Sequence, residues 1–143
     1  VVTQNVDDLH ERAGSSKVLH LHGKLNEARS SKNPNLIEVI GQRELKVGER
    51  AADGSALRPN IVWFGEEVPA MEPAIKEIAS ADKILVVGTS LQVYPAASLL
   101  FYARKGAEKV LINLEATDND AGYQFIQGKA ATEVPKLVKK WLG

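Results

Sequence analysis

The residues that could do chemistry cluster near the start of the chain, in the stretch VVTQNVDDLHERAGSSKVLHLHG. Two carboxamides and a carboxylate, Gln4, Asn5 and Asp7, follow a short apolar run, and an imidazole, His22, ends the next one. A carboxamide hydrogen-bonds polar ligands, and a histidine can take up a proton at cellular pH. These residue types at this spacing indicate a polar-ligand site with one proton-transfer group.

Two short elements must position these polar groups. An apolar helical face over residues 6–13 ends at Gly14, and residues 18–21 read as a strand. His20 and His22 would share one face of that strand, and only His22 stands next to a glycine at the strand end. We therefore expect His22, and not His20, to carry the proton-transfer role.

The second half of the chain has the pattern of an open α/β sheet. A helix over 69–81 precedes a nearly all-apolar strand over 83–88, a second helix opens at Pro95, and another apolar strand covers 109–114. This order predicts a right-handed βαβ unit with parallel strands. In the tail, a loop from Asp118 leads to a short extended piece, and Thr132 can cap a last helix.

Polar residues follow both apolar strands at their carboxyl ends, where open α/β sheets bind ligands. They are Gly88, Thr89 and Ser90 after the first strand, and Asn113, Leu114 and Glu115 at the end of the second. Hydroxyls beside a helix N-terminus favour an anion, and a carboxylate on the next strand suits ribose hydroxyls. On the residues alone, the ordinary polar strand ends of any α/β protein explain this cluster equally well.

Two further segments lie between these parts. Residues 36–40 and 44–47 read as short strands joined by a turn, within a small β module over 24–60. Residues 57–66, LRPNIVWFGE, contain an apolar run that stops at Gly65. Without further information, this run favours a buried strand followed by a turn.

Composition narrows the class of protein. The 143 residues fit one domain with a real core, and 18 basic residues balance 18 acidic ones. That balance gives no electrostatic footprint for nucleic acid or an anionic membrane, so neither is an expected partner. The chain has no cysteine, which removes disulfides, a thiol nucleophile and thiolate metal sites. We expect a cytoplasmic protein.

The literal wording of the motifs resembles the sirtuins, the Sir2 family of NAD-dependent protein-lysine deacylases. That family carries Thr-Gln-Asn-(Ile/Val)-Asp, Leu-His-x-x-Ala-Gly and a later His-Gly pair, which match residues 3–7, 9–14 and 22–23 here. Further matches follow in the family's order to the C-terminus, and the details are closest to the bacterial CobB-like branch. The resemblance implies an α/β fold with a Rossmann-like parallel sheet over 1–23 and 61–143, and a small inserted β module over 24–60.

The resemblance also implies a set of site residues. It makes His22 the general base and assigns NAD binding to Gln4, Asn5, Val6, Asp7, Gly88, Thr89, Ser90, Asn113, Leu114, Glu115 and Ala130. It makes residues 57–66 the strand to which an acyl-lysine peptide of a protein substrate adds. Within that strand, substrate contacts fall to Val62, Trp63, Phe64, Gly65 and Glu66.

Two family features are missing from this chain. Most sirtuins carry a zinc ribbon with four cysteines in the small module, whereas Ser30 stands about where the first would fall. We therefore expect no zinc and a module held by strand pairing and a modest apolar cluster. The chain also opens inside a strand, without the family's Gly-rich phosphate loop and Arg-bearing loop. We expect a fragment lacking the N-terminal βα unit, which alone binds NAD weakly and is inactive.

In the family mechanism, NAD is consumed as a cosubstrate. The acyl oxygen of the substrate lysine attacks the ribose carbon as the bond to nicotinamide breaks, and the base then activates a ribose hydroxyl. The products are free lysine, nicotinamide and O-acyl-ADP-ribose. Two alternatives stay open: a sirtuin-like ADP-ribosyltransferase, and a non-catalytic nucleotide- or peptide-binding module. Intact Asn5, Asp7 and His22 argue against the module, because a sensor needs no base.

Overall fold

The computed structural model describes residues 1–116 and 121–143. The first residues of the loop predicted from Asp118 therefore lie outside the described residues. The chain forms two compact units, Val1–Met71 and Glu72–Gly143. The division into 1–23 with 61–143 and an insert over 24–60 stays a prediction.

The first unit begins with a parallel pair of very short strands. β1 (Val2–Thr3) pairs with β2 (Leu19–His20), and the single helical turn α1 (Leu9–Arg12) lies between them in the chain. The Asp7 carboxylate accepts a hydrogen bond from the Leu9 backbone N–H at 3.1 Å and so starts that turn. The predicted helix and strand are confirmed, although both are shorter than their apolar patterns.

A three-stranded antiparallel sheet forms the rest of this unit. β3 (Gly23–Ser30) lies between β4 (Ile37–Val39) and β5 (Leu57–Ile61). The prediction of β4 is confirmed, but β3 gives no signal in the sequence, because its polar residues show little alternation. It is a strand because partners pair with both of its edges.

The strand predicted over residues 44–47 is wrong. The Lys46 backbone N–H donates to a Glu49 side-chain oxygen at 2.7 Å, and Arg43 binds both Glu49 oxygens at 2.8 and 2.7 Å. The Lys46 amide and the Arg43 guanidinium thereby lower the pKa of Glu49. The Glu49 side chain therefore accepts from the Lys46 backbone N–H that a strand would have paired with a neighbour, and residues 44–47 form a loop.

A buried hydrogen-bond network around Ser30, which is 2% exposed, stabilises the small sheet. The Ser30 hydroxyl donates to Asp53 at 2.6 Å and lies 2.7 Å from the Ser55 hydroxyl, which itself contacts Asp53 at 2.7 Å. The backbone N–H groups of Lys32 and Asn33 donate to the Ser30 oxygen at 3.1 and 2.9 Å. The hydroxyl of Ser30, and then that of Ser55, lower the pKa of Asp53.

This network corrects the expected apolar cluster and does not fit a zinc ion. The buried apolar side chains of the module are only those of Ala28 and Ala51. The polar atoms around Ser30 are hydroxyls and one carboxylate, already bonded to one another, whereas structural zinc takes thiolates and imidazoles. Within residues 1–116 and 121–143, no three His, Cys, Asp or Glu side chains converge as a metal site would require.

Replacing Ser30 with alanine is expected to lower the free energy of unfolding by roughly 1–3 kcal/mol, because buried partners lose a hydrogen bond. Thermal or urea unfolding of the protein measures the change. Ser31→Ala is the matched control, since Ser31 is exposed and its backbone bond to Ala56 stays. Equal stability of the two variants would contradict the role given to the Ser30 network.

The second unit is a parallel α/β structure. In chain order it consists of α2 (Met71–Ser80), β6 (Lys83–Val87), a 3₁₀ helix (Ala96–Tyr102), β7 (Glu108–Asn113), β8 (Gln124–Gln127) and α3 (Ala130–Leu142). The strands are parallel in the order β6-β7-β8. This arrangement confirms the predicted Rossmann-like α/β class.

The central strand β7 is covered on both faces. Leu111 packs with Ile84 and Tyr123, against partly buried residues that include Ile78 of α2 and Leu100 of the 3₁₀ helix. On the other face, Val110, Ile112 and Leu137 of α3 form a second cluster with Val134 and Trp141. Two covered faces explain the all-apolar strand pattern.

The predicted cap of the last helix is wrong. α3 begins at Ala130, with Lys129 in the extended N-cap position, so Thr132 already lies inside the first turn. Of the helices in the described part of the chain, none combines the length and apolar character needed to cross a membrane.

Candidate functional site

His22 lies between β2 and β3, directly before Gly23, and is half-buried. Its Nδ1 lies 3.1 Å from the backbone carbonyl oxygen of Gln4. A carbonyl oxygen can only accept, so Nδ1 must carry the proton of the neutral ring and Nε2 keeps its lone pair. The Gln4 carbonyl thereby selects the tautomer that a general base requires.

The other two histidines have different surroundings. The His20 ring is buried, with Nε2 at 2.8 Å from a Glu11 carboxylate oxygen and Nδ1 at 3.1 Å from the Asn5 carbonyl oxygen. Both nitrogens are therefore used inside the protein. His10 lies on α1, and its side chain forms no hydrogen bond with the described residues.

Hydrogen bonds connect the polar segment 4–7 and its neighbours to the residues around His22. The Thr3 carbonyl accepts the Leu21 N–H at 2.9 Å, and the Val6 carbonyl accepts the Leu25 N–H at 2.8 Å. Between these two links, the imidazoles of His22 and His20 hold the carbonyls of Gln4 and Asn5. The side chains of Asn5 and Asp7 thus project from a backbone that is fixed at successive residues.

The residue after His22, Gly23, must be a glycine because of its backbone conformation and its close contact with β5. It has φ of +80°, and a Cβ at this position would lie 1.9 Å from the Asn60 carbonyl oxygen. Close approach lets β5 pair at Gly23↔Ile61, and the next backbone N–H, of Val62, donates to the His22 carbonyl at 3.0 Å. The predicted substrate segment is therefore hydrogen-bonded to the backbone of the predicted base.

Residues 62–66 leave the sheet in a tight turn. Trp63 is 52% exposed and Phe64 is 99% exposed. The strand that the apolar run favours is half-buried rather than buried and ends at Ile61, and two large aromatic side chains face outward. Two adjacent exposed aromatic side chains next to a strand end are a candidate binding surface.

Glu66 closes this turn. Its carboxylate takes the Arg58 guanidinium at 2.6 and 3.1 Å, the Trp63 backbone N–H at 3.0 Å and Arg29 at 3.3 Å. The Arg58 bond, followed by the Trp63 amide, lowers the pKa of Glu66 to about 2. The carboxylate is thus engaged within the protein, so any contact of Glu66 with a peptide falls to its backbone.

In the second unit, Asn113 ties together the carboxyl ends of three strands. Its side-chain amide donates to the Thr89 carbonyl at 3.1 Å, and its Oδ1 accepts the Leu114 N–H at 3.0 Å. Its backbone carbonyl accepts the Gly128 N–H at 3.0 Å. The loops after β6, β7 and β8 therefore meet at one edge, as the sequence predicts for a ligand site.

The remaining predicted residues of this unit lie at the same edge. Gly88 adopts φ of +64° directly after β6, and Ser90 and Glu115 are exposed. Leu114 is also exposed, and Ala130 is the exposed first residue of α3. This edge therefore combines a glycine, exposed hydroxyl and carboxylate groups, and the start of a helix. A phosphorylated ribose would need these groups for binding.

Sequence reasoning missed two residues of the site. Glu11 binds His20 across nine residues of chain, and no local pattern signals that contact. Arg58 also donates to the Ile61 carbonyl at 3.0 Å and lies 5.8 Å from the Trp63 ring centroid. Opposite charges on either side of an apolar run, Arg58 and Glu66, are the signal that could have indicated a closed turn.

Comparison with known proteins agrees with the motifs. The Sir2 family model matches residues 1–95. An NAD-dependent protein deacylase of Bacteroides thetaiotaomicron is 46% identical over 99% of this chain and 63% of its own length. A Sir2 homologue solved with NAD superposes with a TM-score of 0.83 at 39% identity, over 99% of this chain and 59% of that one. A Sir2 structure with a myristoylated histone peptide gives 0.77 at 35% identity, over 98% and 63%.

The chain therefore spans less than two thirds of the length of each of these proteins. Within that span, the matched stretch includes the 3–7 motif, the His22-Gly23 pair, the aromatic turn and the Gly88 loop. The chain belongs to the Sir2 family.

Proposed function

We propose that the protein containing this chain is an NAD-dependent protein-lysine deacylase that releases nicotinamide and O-acyl-ADP-ribose. The observation that carries the proposal is the His22 tautomer, in which Nδ1 donates to the Gln4 carbonyl and Nε2 is left as the acceptor. A ring held in this way is suited to remove a proton from a hydroxyl group. The names of the relatives support the same activity.

The residues around His22 suit the nicotinamide half of NAD. The carboxamide of Asn5 and the carboxylate of Asp7 would bind the nicotinamide amide and its ribose, Val6 would contact this end through its backbone, and Gln4 would lie beside the reacting carbon. When bound, NAD supplies an activated ribose carbon for acyl transfer. The task of His22 is then to take the proton of a ribose hydroxyl at Nε2.

The edge of the second unit carries groups that suit the phosphate, ribose and adenosine parts of a dinucleotide. Gly88, Thr89 and Ser90 would bind phosphate or ribose oxygens, and Glu115 would accept hydrogen bonds from ribose hydroxyls. The backbone around Asn113 and Leu114 and the helix start at Ala130 would contact the adenosine side. The solved relative with bound NAD supports NAD as the ligand.

The aromatic turn suits an acyl-lysine peptide. A peptide strand would bind the backbone of 62–66, with the Val62 carbonyl accepting from the acyl-lysine amide and Gly65 leaving room for the peptide main chain. Phe64 and Trp63 would line the path of the acyl-lysine side chain. Relatives solved with acylated or p53 peptides support a protein substrate.

The location of the protein in the cytoplasm stays a prediction.

The test is product analysis by mass spectrometry after incubating the whole protein with NAD and an acetyl-lysine peptide. Deacylation is expected to give deacetylated peptide, nicotinamide and O-acetyl-ADP-ribose in equal amounts. Covalently ADP-ribosylated protein would instead indicate a transferase, and unchanged peptide and NAD would indicate a binding module. Either of these outcomes would refute the proposal.

A further inference from the structure

His20 occupies an unusual place in the loop that carries the predicted nicotinamide contacts. Its side chain is 3% exposed, and it bridges Asn5 at the start of the loop and Glu11 on α1 at its end. Asp7 lies between these two anchor points in the chain. The buried His20 ring thus bridges the two ends of this loop.

We propose that His20, held by Glu11, is a positioning residue that sets the orientation of Asn5 and Asp7 for ligand binding. The inference rests on the proposed function, because it takes NAD as the ligand of these two side chains. His20 has no contact with the ligand in this proposal, since both of its ring nitrogens face protein oxygens.

The backbone around residue 5 shows why the ring is needed. β1 ends at Thr3, and the next backbone link to the neighbouring strand is the bond from the Leu25 N–H to the Val6 carbonyl. The Asn5 carbonyl falls in the gap between these two links. The Nδ1–H of His20 fills this gap at 3.1 Å.

Glu11 holds the other side of the ring. The Asn5 carbonyl and an ionised carboxylate are both acceptors, so the two bonds form together when both ring nitrogens carry a proton. The His20 bond lowers the pKa of Glu11, and Lys24 lies 4.0 Å from the same carboxylate oxygen. The Lys24 ammonium also approaches Glu27 at 3.8 Å, which anchors this group of charges on β3.

Two substitutions of His20 separate the two bonds. Asparagine places an amide N–H near the position of Nδ1 and can still donate to Asn5, whereas glutamine reaches the position of Nε2 and keeps only the Glu11 contact. We expect His20→Gln to weaken NAD binding by about fivefold to tenfold, the effect of one lost hydrogen bond to a backbone carbonyl. His20→Asn is expected to stay within about twofold of wild type, since the same bond remains.

Titration calorimetry of the whole protein with NAD measures these affinities, and the NMR amide signals of residues 4–7 provide a readout without NAD. The amide signals are expected to shift in His20→Gln and to stay near wild type in His20→Asn. His10→Gln is the control, because that half-buried ring has no hydrogen bond to the described residues.

Glu11 offers a second, more exposed position, with 37% of its side chain accessible. Glu11→Ala is expected to weaken NAD binding by about twofold, as His20→Asn does, because both lose the same contact, and Glu11→Gln, which keeps an acceptor for Nε2, to restore most of it. Unchanged affinity in both His20→Gln and Glu11→Ala, or equal losses in His20→Asn and His20→Gln, would overturn the inference. A protein that binds NAD with the expected pattern but shows no deacylation would refute the proposed function alone.

Discussion

Replacing His22 with alanine in the whole protein is expected to lower kcat/KM for deacylation by about 10²–10⁴-fold, the usual contribution of a general base. NAD affinity is expected to fall far less, by up to about tenfold, because His22→Ala loses the bond to the Gln4 carbonyl but none of the side chains assigned to bind the dinucleotide. Steady-state assay of deacetylated peptide measures the first quantity, and calorimetry measures the second.

A second substitution separates the chemical role of His22 from its structural one. His22→Asn keeps an amide N–H that can donate to the Gln4 carbonyl but has no lone pair that can accept a proton at neutral pH. It is therefore expected to be as inactive as His22→Ala while retaining the wild-type unfolding temperature. His10→Ala serves as the control for loss of an imidazole. Substantial turnover in His22→Asn would contradict the role of the base.

Replacing Gly23 with alanine is expected to destabilise the first unit by about 2–5 kcal/mol, combining left-handed backbone strain with overpacking. The added Cβ would lie 1.9 Å from the Asn60 carbonyl oxygen, which is backbone and cannot rotate away. β5 must then move from β3 and take with it the Val62 bond to the His22 carbonyl. Urea unfolding, followed by tryptophan fluorescence, measures the change.

Gly14→Ala is the matched control for this prediction. Gly14 has φ of +92°, yet a Cβ there meets nothing within 4 Å. Its substitution therefore reports the cost of the left-handed backbone alone, of roughly 1–2 kcal/mol. A Gly23 variant no less stable than the Gly14 variant would show that close approach of Asn60 is not what requires the glycine. Peptide affinity is also expected to fall in Gly23→Ala only.

Much of the second unit could be predicted from its sequence. Residues 84–87 and 110–112 are runs of β-branched and other apolar side chains, which favour strands buried on both faces. Their parallel pairing and the polar residues after their ends follow from general rules of α/β folds. The prediction that His22 rather than His20 is the base also came from a local feature, the adjacent glycine at the strand end, and it stays a prediction.

The first unit was harder to predict because its stability lies in contacts between distant residues. Ser30 meets Asp53 across 23 residues, and β3 is a strand only because β4 and β5 pair with it. Residues 44–47 had the pattern of a strand, but the Lys46 backbone N–H donates to the Glu49 carboxylate instead of to a neighbouring strand. Local propensity amounts to tenths of a kcal/mol per residue, so such pairings readily override it.

The chemical identity of the site residues is therefore readable from their types and order, since an imidazole, carboxamides and strand-end glycines carry their chemistry with them. Folding decides which of their atoms are available. The carbonyls of Gln4 and Asn5 select the protonated nitrogens of two similar histidines, and Arg58 and Arg29 engage the Glu66 carboxylate. These outcomes depend on hydrogen-bond distances between residues far apart in the chain, which no local pattern encodes.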